Sequence, residues 1–138
     1  MDADSERRFE TLKGCFAALA TQDLEALVAH YAEDYTLELP YFKPDEALVI
    51  EGRDSVRSYL VDILGRQRMD LVITGVHPIA EERLLIAEYT STGEFCDNGD
   101  PYANRYVGYW YFDDSERPLV RRLREYYNPQ APRASAIG

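Results

Sequence analysis

Cysteine and histidine are scarce in these 138 residues, with two of each. Cys15 and Cys96 lie far apart without a partnering spacing, so neither a disulfide framework nor a zinc site is implied, and both are read as reduced core thiols. His30 and His77 stand apart from each other and from any carboxylate cluster, which supports no metal site. Basic residues are outnumbered: 15 Lys and Arg against 25 Asp and Glu leave a formal charge of −10. A phosphate backbone needs a basic face, so this balance argues against a nucleic-acid partner. No apolar run approaches the ~20 residues of a membrane span, and the charged start MDADSERRFE is not signal-like, so no membrane partner and a soluble, cytoplasmic protein are expected. Internal repeats and a phosphate-cradling glycine loop are also missing, and no cofactor is implied.

What is present is material for one domain with its own core. Phe9, Leu12, Cys15, Phe16 and Leu19 recur at helical spacing, and Leu24, Leu27, Val28 and Tyr31 resume the pattern after Thr21-Gln22-Asp23, with Asp23 placed as the second helix's N-cap. Tyr35 to Leu39 alternates as a short strand closed by Pro40, and Tyr41 to Glu46 then reads as a loop. Val56, Tyr59, Leu60, Ile63 and Leu64 form the stripe of a third helix, opened near Asp54 and Ser55 and ended around Gly65. Beyond residue 68, Leu71 to His77, Leu84 to Cys96, Arg105 to Phe112 and Val120 to Tyr127 are rich in β-branched and aromatic residues, separated by turn chemistry that includes His77-Pro78 to Arg83. Helices first and a strand meander afterwards predict an α+β domain, with three N-terminal helices on one face of a curved, mainly antiparallel sheet. The tail from Pro129 lacks periodicity, so residues 1–129 are expected to form the domain and 130–138 a loose end.

The motifs "QDLEALVAHYAEDYTLELPY", "EGRDSVRSYL", "PYANRYVGYWYF" and "RLREYYNP" resemble the SnoaL-like branch of the nuclear-transport-factor-2-like superfamily over about residues 7 to 129. That resemblance implies a cone-shaped (cystatin-like) fold enclosing a deep apolar pocket, commonly in a homodimer through the outer face of the sheet. Isomerases, cyclases, dehydratases, hydrolases and binding modules all share the fold, so function has to come from the residues. The ketosteroid-isomerase design is empty here: its base, donor tyrosine and protonated aspartate fall on Leu39, Cys15 and Gly108. The Arg-x-Asp of the limonene-type epoxide hydrolases has one counterpart, Arg68-Met69-Asp70, at the start of a strand. The C-terminal half is most similar to the phenazine-biosynthesis A/B proteins, whose functional glutamate falls on Glu125, flanked by Arg124 and Asn128 as in that family. Their pocket histidine and serine correspond to Tyr59 and Ile63.

Glu125 is thus the candidate acid/base group. It shares strand parity with Arg121, Leu123 and Tyr127, and if Leu123 and Tyr127 face the pocket, Glu125 does too. A carboxyl in an apolar cavity has its pKa raised, which suits proton transfer near neutrality. The competing reading is an ion pair with Arg105 or Arg121. Asn104 either hydrogen-bonds a substrate carbonyl or satisfies nearby backbone. Trp110 either stacks on substrate or serves as a core or dimer-face aromatic. Leu39, Tyr41, Tyr59, Ile63 and Tyr127 complete the expected lining. Glu88 either points inward, as a second carboxylate opposite Glu125, or outward as a solvated or dimer-face residue, the side favoured because Ala87, Tyr89 and Phe95 make the better core side. The function expected is cofactor-independent acid/base catalysis (isomerisation, cyclisation, condensation or dehydration) on a small hydrophobic or aromatic molecule. The alternative is a non-catalytic binding or scaffold module.

Overall fold

The computed structural model describes residues 1–128. Residue 129, where the domain was expected to end, and the expected loose tail over 130–138 lie outside the described residues.

The first helix, α1 (Ala3–Ala20), begins earlier than its apolar stripe, because Asp2 accepts a hydrogen bond from the Ser5 amide (2.6 Å) and Asp4 and Glu6 complement the dipole of its first turn. Its buried face is Leu12, Cys15 and Phe16. Asp23 caps the short α2 (Leu24–Val28) by accepting from the Ala26 amide at 3.0 Å. Asp23→Ala should therefore lower stability by about 1 kcal/mol, measured as a shift in the urea midpoint. Helix α2 ends before Tyr31, which instead opens β1 (Tyr31–Lys43) and stacks on Tyr35 with ring centroids 4.0 Å apart.

Strand β1 continues through Pro40. The expected loop at Tyr41 to Glu46 is the end of β1, a Pro44-Asp45 turn and the start of an additional edge strand, β2 (Glu46–Glu51). The β1–β2 ladder shifts register between Leu39 and Lys43, and Pro40, which has no N–H to donate, sits in that interruption. Gly52 then adopts φ +95° and donates to the Tyr35 carbonyl (2.8 Å), turning the chain into α3 (Arg53–Arg66).

The remaining strands are β3 (Gln67–Ile79), β4 (Leu84–Phe95), β5 (Pro101–Phe112) and β6 (Val120–Tyr127). His77-Pro78 belongs to β3 itself, and the turn follows it over residues 80–83, where Arg83 takes φ 51°. All six strands form one sheet in the order β2-β1-β6-β5-β4-β3, antiparallel except for the parallel β1–β6 pair. That parallel pair is where the early strand is inserted beside the last one. Helix α1 packs on β3 and β4 and α3 on β1, so the three helices cover one face of the sheet, and the core lies between the layers. Cys15 is in this core, whereas Cys96, expected there, is exposed after the end of β4.

Candidate functional site

Alternation along β6 turns Leu123, Glu125 and Tyr127 toward the helices and Arg122, Arg124 and Tyr126 toward the opposite face. The arginines that surround Glu125 in sequence are thereby separated from it in space. Arg124 lies over the Tyr109 ring, 4.6 Å from its centroid, and Arg122 pairs with Glu38. Arg121 escapes the parity argument because the β5–β6 register shifts between Tyr111 and Phe112: Val120 pairs with Phe112 and Arg122 with Tyr111, leaving Arg121 as the extra, exposed residue of a bulge. Arg105 is exposed too, on the outer side of β5. Neither of the ion pairs expected for Glu125 forms.

Glu125 instead accepts a hydrogen bond from the Tyr89 hydroxyl on Oε2, and its Oε1 has no protein partner among the described residues. Burial pushes the Glu125 carboxyl up to about 7, and the Tyr89 hydrogen bond offsets part of that rise. Tyr89 comes from β4 and reaches across β5 to do this. Gly108, which pairs with Glu125 on one side and Ala87 on the other, makes the reach feasible. A Cβ at Gly108 would lie 2.6 Å from the Tyr89 hydroxyl and would also collide with Trp110 Nε1. The indole N–H of Trp110 lies beside the same hydroxyl without meeting hydrogen-bond geometry.

These groups wall a cavity of about 260 Å³ between helices and sheet, just below the roughly 300–1,000 Å³ usual for sites that take drug-sized ligands. Its wall is mostly apolar or aromatic, including Phe16 of α1, Val56 and Leu60 of α3, Leu71 of β3 and Trp110 of β5. Among the described residues Glu125 is the sole carboxyl in that wall, and no lysine, arginine or histidine lines it. The negative charge that Glu125 carries when ionised adds to burial in raising the phenols of Tyr31, Tyr35, Tyr59, Tyr89, Tyr106 and Tyr127, so all six remain neutral donors. Cys15, also lining the cavity, is pushed up to about 12 by burial and stays a thiol. Farther along the sheet, Tyr106 bridges the Ser91 hydroxyl (2.8 Å) and the Tyr102 hydroxyl (3.3 Å). This second polar station lies two strand residues from Glu125, about 7 Å along β5.

Of the residues singled out from sequence, the fold brings together Glu125, Tyr59, Ile63, Leu39, Tyr127 and Trp110 on the cavity wall. Tyr41 is not among them. The irregularity at Pro40 inverts the alternation, so Phe42 lines the cavity while Tyr41 is 51% exposed and packs near Tyr126. Asn104 is buried behind the wall rather than on it: it donates to the Asn128 carbonyl (3.0 Å) and to the Tyr102 hydroxyl (3.3 Å) and accepts from the Asn128 amide (3.1 Å), fastening the chain beyond β6 to β5 and touching the cavity only through Tyr102. Glu88 points outward, where it pairs with His77 at 3.0 Å. His30 packs against Gly14 of α1, and among the described residues no cluster of His, Cys, Asp and Glu suits a metal ion. No helix of the described residues is long and apolar enough to cross a membrane. Tyr89, Tyr106, Tyr102 and Tyr31 were not picked out as lining from sequence. The available signal was Gly108, a side-chain-free position directly opposite the buried carboxyl.

Tyr89→Phe isolates the effect of that hydroxyl. Losing a donor that stabilises the carboxylate should raise the Glu125 pKa above 7 by about one unit, read from the carbon-13 shift of the carboxyl.

A family model described as a SnoaL-like domain matches residues 12–117. Comparison with curated proteins gives no match. Among solved structures, a Bacillus subtilis protein described as a candidate isomerase superposes with a TM-score of 0.83 at 23% identity, covering 95% of this chain and 92% of its own. A candidate polyketide cyclase from Xanthomonas campestris gives a TM-score of 0.76 at 23% identity, over 93% and 95% of the two chains. A phenazine biosynthesis-related protein from Pseudomonas aeruginosa gives 0.72 at 20% identity, over 93% and 85%. At these identities the likeness is one of fold.

Proposed function

The chain belongs to the SnoaL-like domain family, and from that premise we propose that it is a cofactor-independent acid/base catalyst acting on a small hydrophobic cyclic molecule in the cavity, of the isomerase, cyclase, condensation or dehydratase type. One observation carries the reading: a lone carboxyl in an apolar wall, without a cationic partner among the described residues, which burial pushes up to about 7. Near neutrality it is divided between its two protonation states, so the same group can remove a proton and return it. Tyr89 holds one oxygen in place and leaves Oε1 for the substrate. The Ser91–Tyr106–Tyr102 hydroxyls offer hydrogen bonds to an oxygen substituent at the far end of the ring. The surrounding apolar wall keeps water from competing for the proton.

The same reading includes a homodimer through the outer face of the sheet, supported by the exposed Val72 and Tyr41 and by the tyrosines and arginines of β5 and β6 on that side. Sedimentation should then give about twice the mass of one chain, and a monomer would remove the dimer from the proposal.

The test for catalysis needs no known product. Cyclic ketones incubated in D2O should exchange protons next to the carbonyl at a rate set by the protein, followed by proton NMR. Glu125→Gln should reduce that rate by roughly 10²–10⁴-fold, the usual range for a general acid/base. Glu88→Gln, on the outer face, should leave it unchanged. Exchange that survives Glu125→Gln would contradict the assignment and favour the binding-module reading.

A further inference from the structure

The charge balance of the cavity constrains what it can hold. Among the described residues Glu125 is the only carboxyl of its wall and no lysine, arginine or histidine lines it, while burial holds the Cys15 thiol neutral. The titratable groups that line the cavity with it from each packed element are Cys15 of α1, Tyr31 and Tyr35 of β1, Tyr59 of α3, Tyr89 of β4, Tyr102 and Tyr106 of β5 and Tyr127 of β6 itself. None of these can neutralise a carboxylate. A ligand carboxylate or phosphate would meet that charge with no compensating cation, in a protein whose formal charge is already −10. A ligand cation would meet a carboxylate whose Oε2 alone is hydrogen-bonded, by Tyr89, in a wall rich in aromatic rings, whose quadrupoles attract positive charge.

We propose that the cavity selects its ligand by charge, taking a small cyclic or aromatic amine, bound as the ammonium with its positive nitrogen against Glu125 Oε1, and rejecting carboxylates and phosphates. This rests on the reading of the cavity as the substrate site and names the substrate class for it. The protons balance simply. An amine that enters neutral takes the proton of the Glu125 carboxyl, whereas one that enters as ammonium onto a protonated Glu125 releases the carboxyl proton to the buffer. Either way the complex holds an ammonium beside a carboxylate, and affinity for ammonium must rise as Glu125 ionises. With a pKa of about 7, the ionised fraction grows roughly tenfold between pH 6 and pH 8, and the affinity should grow by that factor.

Three probes of similar ring size separate the outcomes by titration calorimetry: benzylamine, benzyl alcohol and benzoate. At pH 8 benzylamine should bind at least tenfold more tightly than benzyl alcohol, with benzoate weakest, and its affinity should fall roughly tenfold at pH 6. In Glu125→Gln the amine's advantage over the alcohol should vanish while the alcohol still binds, which separates the charge from the ring. Should that variant fold poorly, the pH dependence and proton release of the unaltered protein discriminate equally well. Benzyl alcohol binding as tightly as benzylamine, or benzoate as tightly as either, would overturn charge selection and leave the cavity's role intact. Binding of none of the three would overturn both.

Discussion

Glu125→Gln should make the protein more stable at pH 8 and erase most of the dependence of its stability on pH between about 4.5 and 7. The native carboxyl sits at about 7, against 4.5 for an ordinary glutamate. Between those values the folded state holds a proton that the unfolded chain has released, so stability falls as pH rises through the window. The Glu125 contribution is complete below 4.5 and lost above 7. A difference of two and a half pH units corresponds to roughly 3 kcal/mol, a large share of the stability of a domain this size. Glutamine keeps the shape and cannot ionise. Urea unfolding at pH 5 and pH 8 should show a marked loss of stability for the unaltered protein over that interval and little for the variant. Parallel losses in both would mean that other groups govern the slope. A site that costs stability where it is charged is expected of one kept for function.

The second large effect is expected at a residue without a side chain. Gly108→Ala puts a methyl group where the Tyr89 hydroxyl and the Trp110 indole nitrogen now converge. Tyr89 is boxed in by Phe16 (centroids 4.9 Å apart) and stacked on Tyr106 (5.1 Å), so its ring has little room to retreat. Overpacking of this kind costs roughly 1–3 kcal/mol. Displacing the hydroxyl should also remove the hydrogen bond that holds the Glu125 pKa down, so the pKa should rise as it does in Tyr89→Phe. The two substitutions are predicted to agree on the pKa and to differ on stability, because only alanine at 108 adds volume. Combined, they should add less than the sum of their separate pKa effects, since they act on the same contact.

Much of this architecture was legible in the sequence. Alternation in β4, β5 and β6 placed Tyr127, Trp110 and Glu125 on one face, and the α3 stripe placed Tyr59 and Ile63 opposite them. Asp23 announced its helix through its capping chemistry. Two misplacements at the cavity share one cause, a break in strand periodicity that no local pattern records. At Pro40 the break exchanged Tyr41 for Phe42 on the cavity wall, and at the β6 bulge it took Arg121 out of line with Glu125. Strand β2 was missed because an edge strand buries little, and its alternation of exposed and half-buried residues is weak. The Tyr89–Glu125 contact was hidden for a different reason. It joins residues 36 positions apart across an intervening strand, and only the register of three strands brings them together.

Catalysis and charge selection both depend on Glu125 being a buried carboxyl without a cationic partner, poised to exchange a proton near neutrality. Its carboxyl carbon-13 resonance, assigned by its absence in Glu125→Gln, reports that state without an intermediary. Titration should give a pKa of about 7. A value at or below the 4.5 of an ordinary glutamate would mean a solvated or cation-paired carboxylate, and neither proposal would survive it.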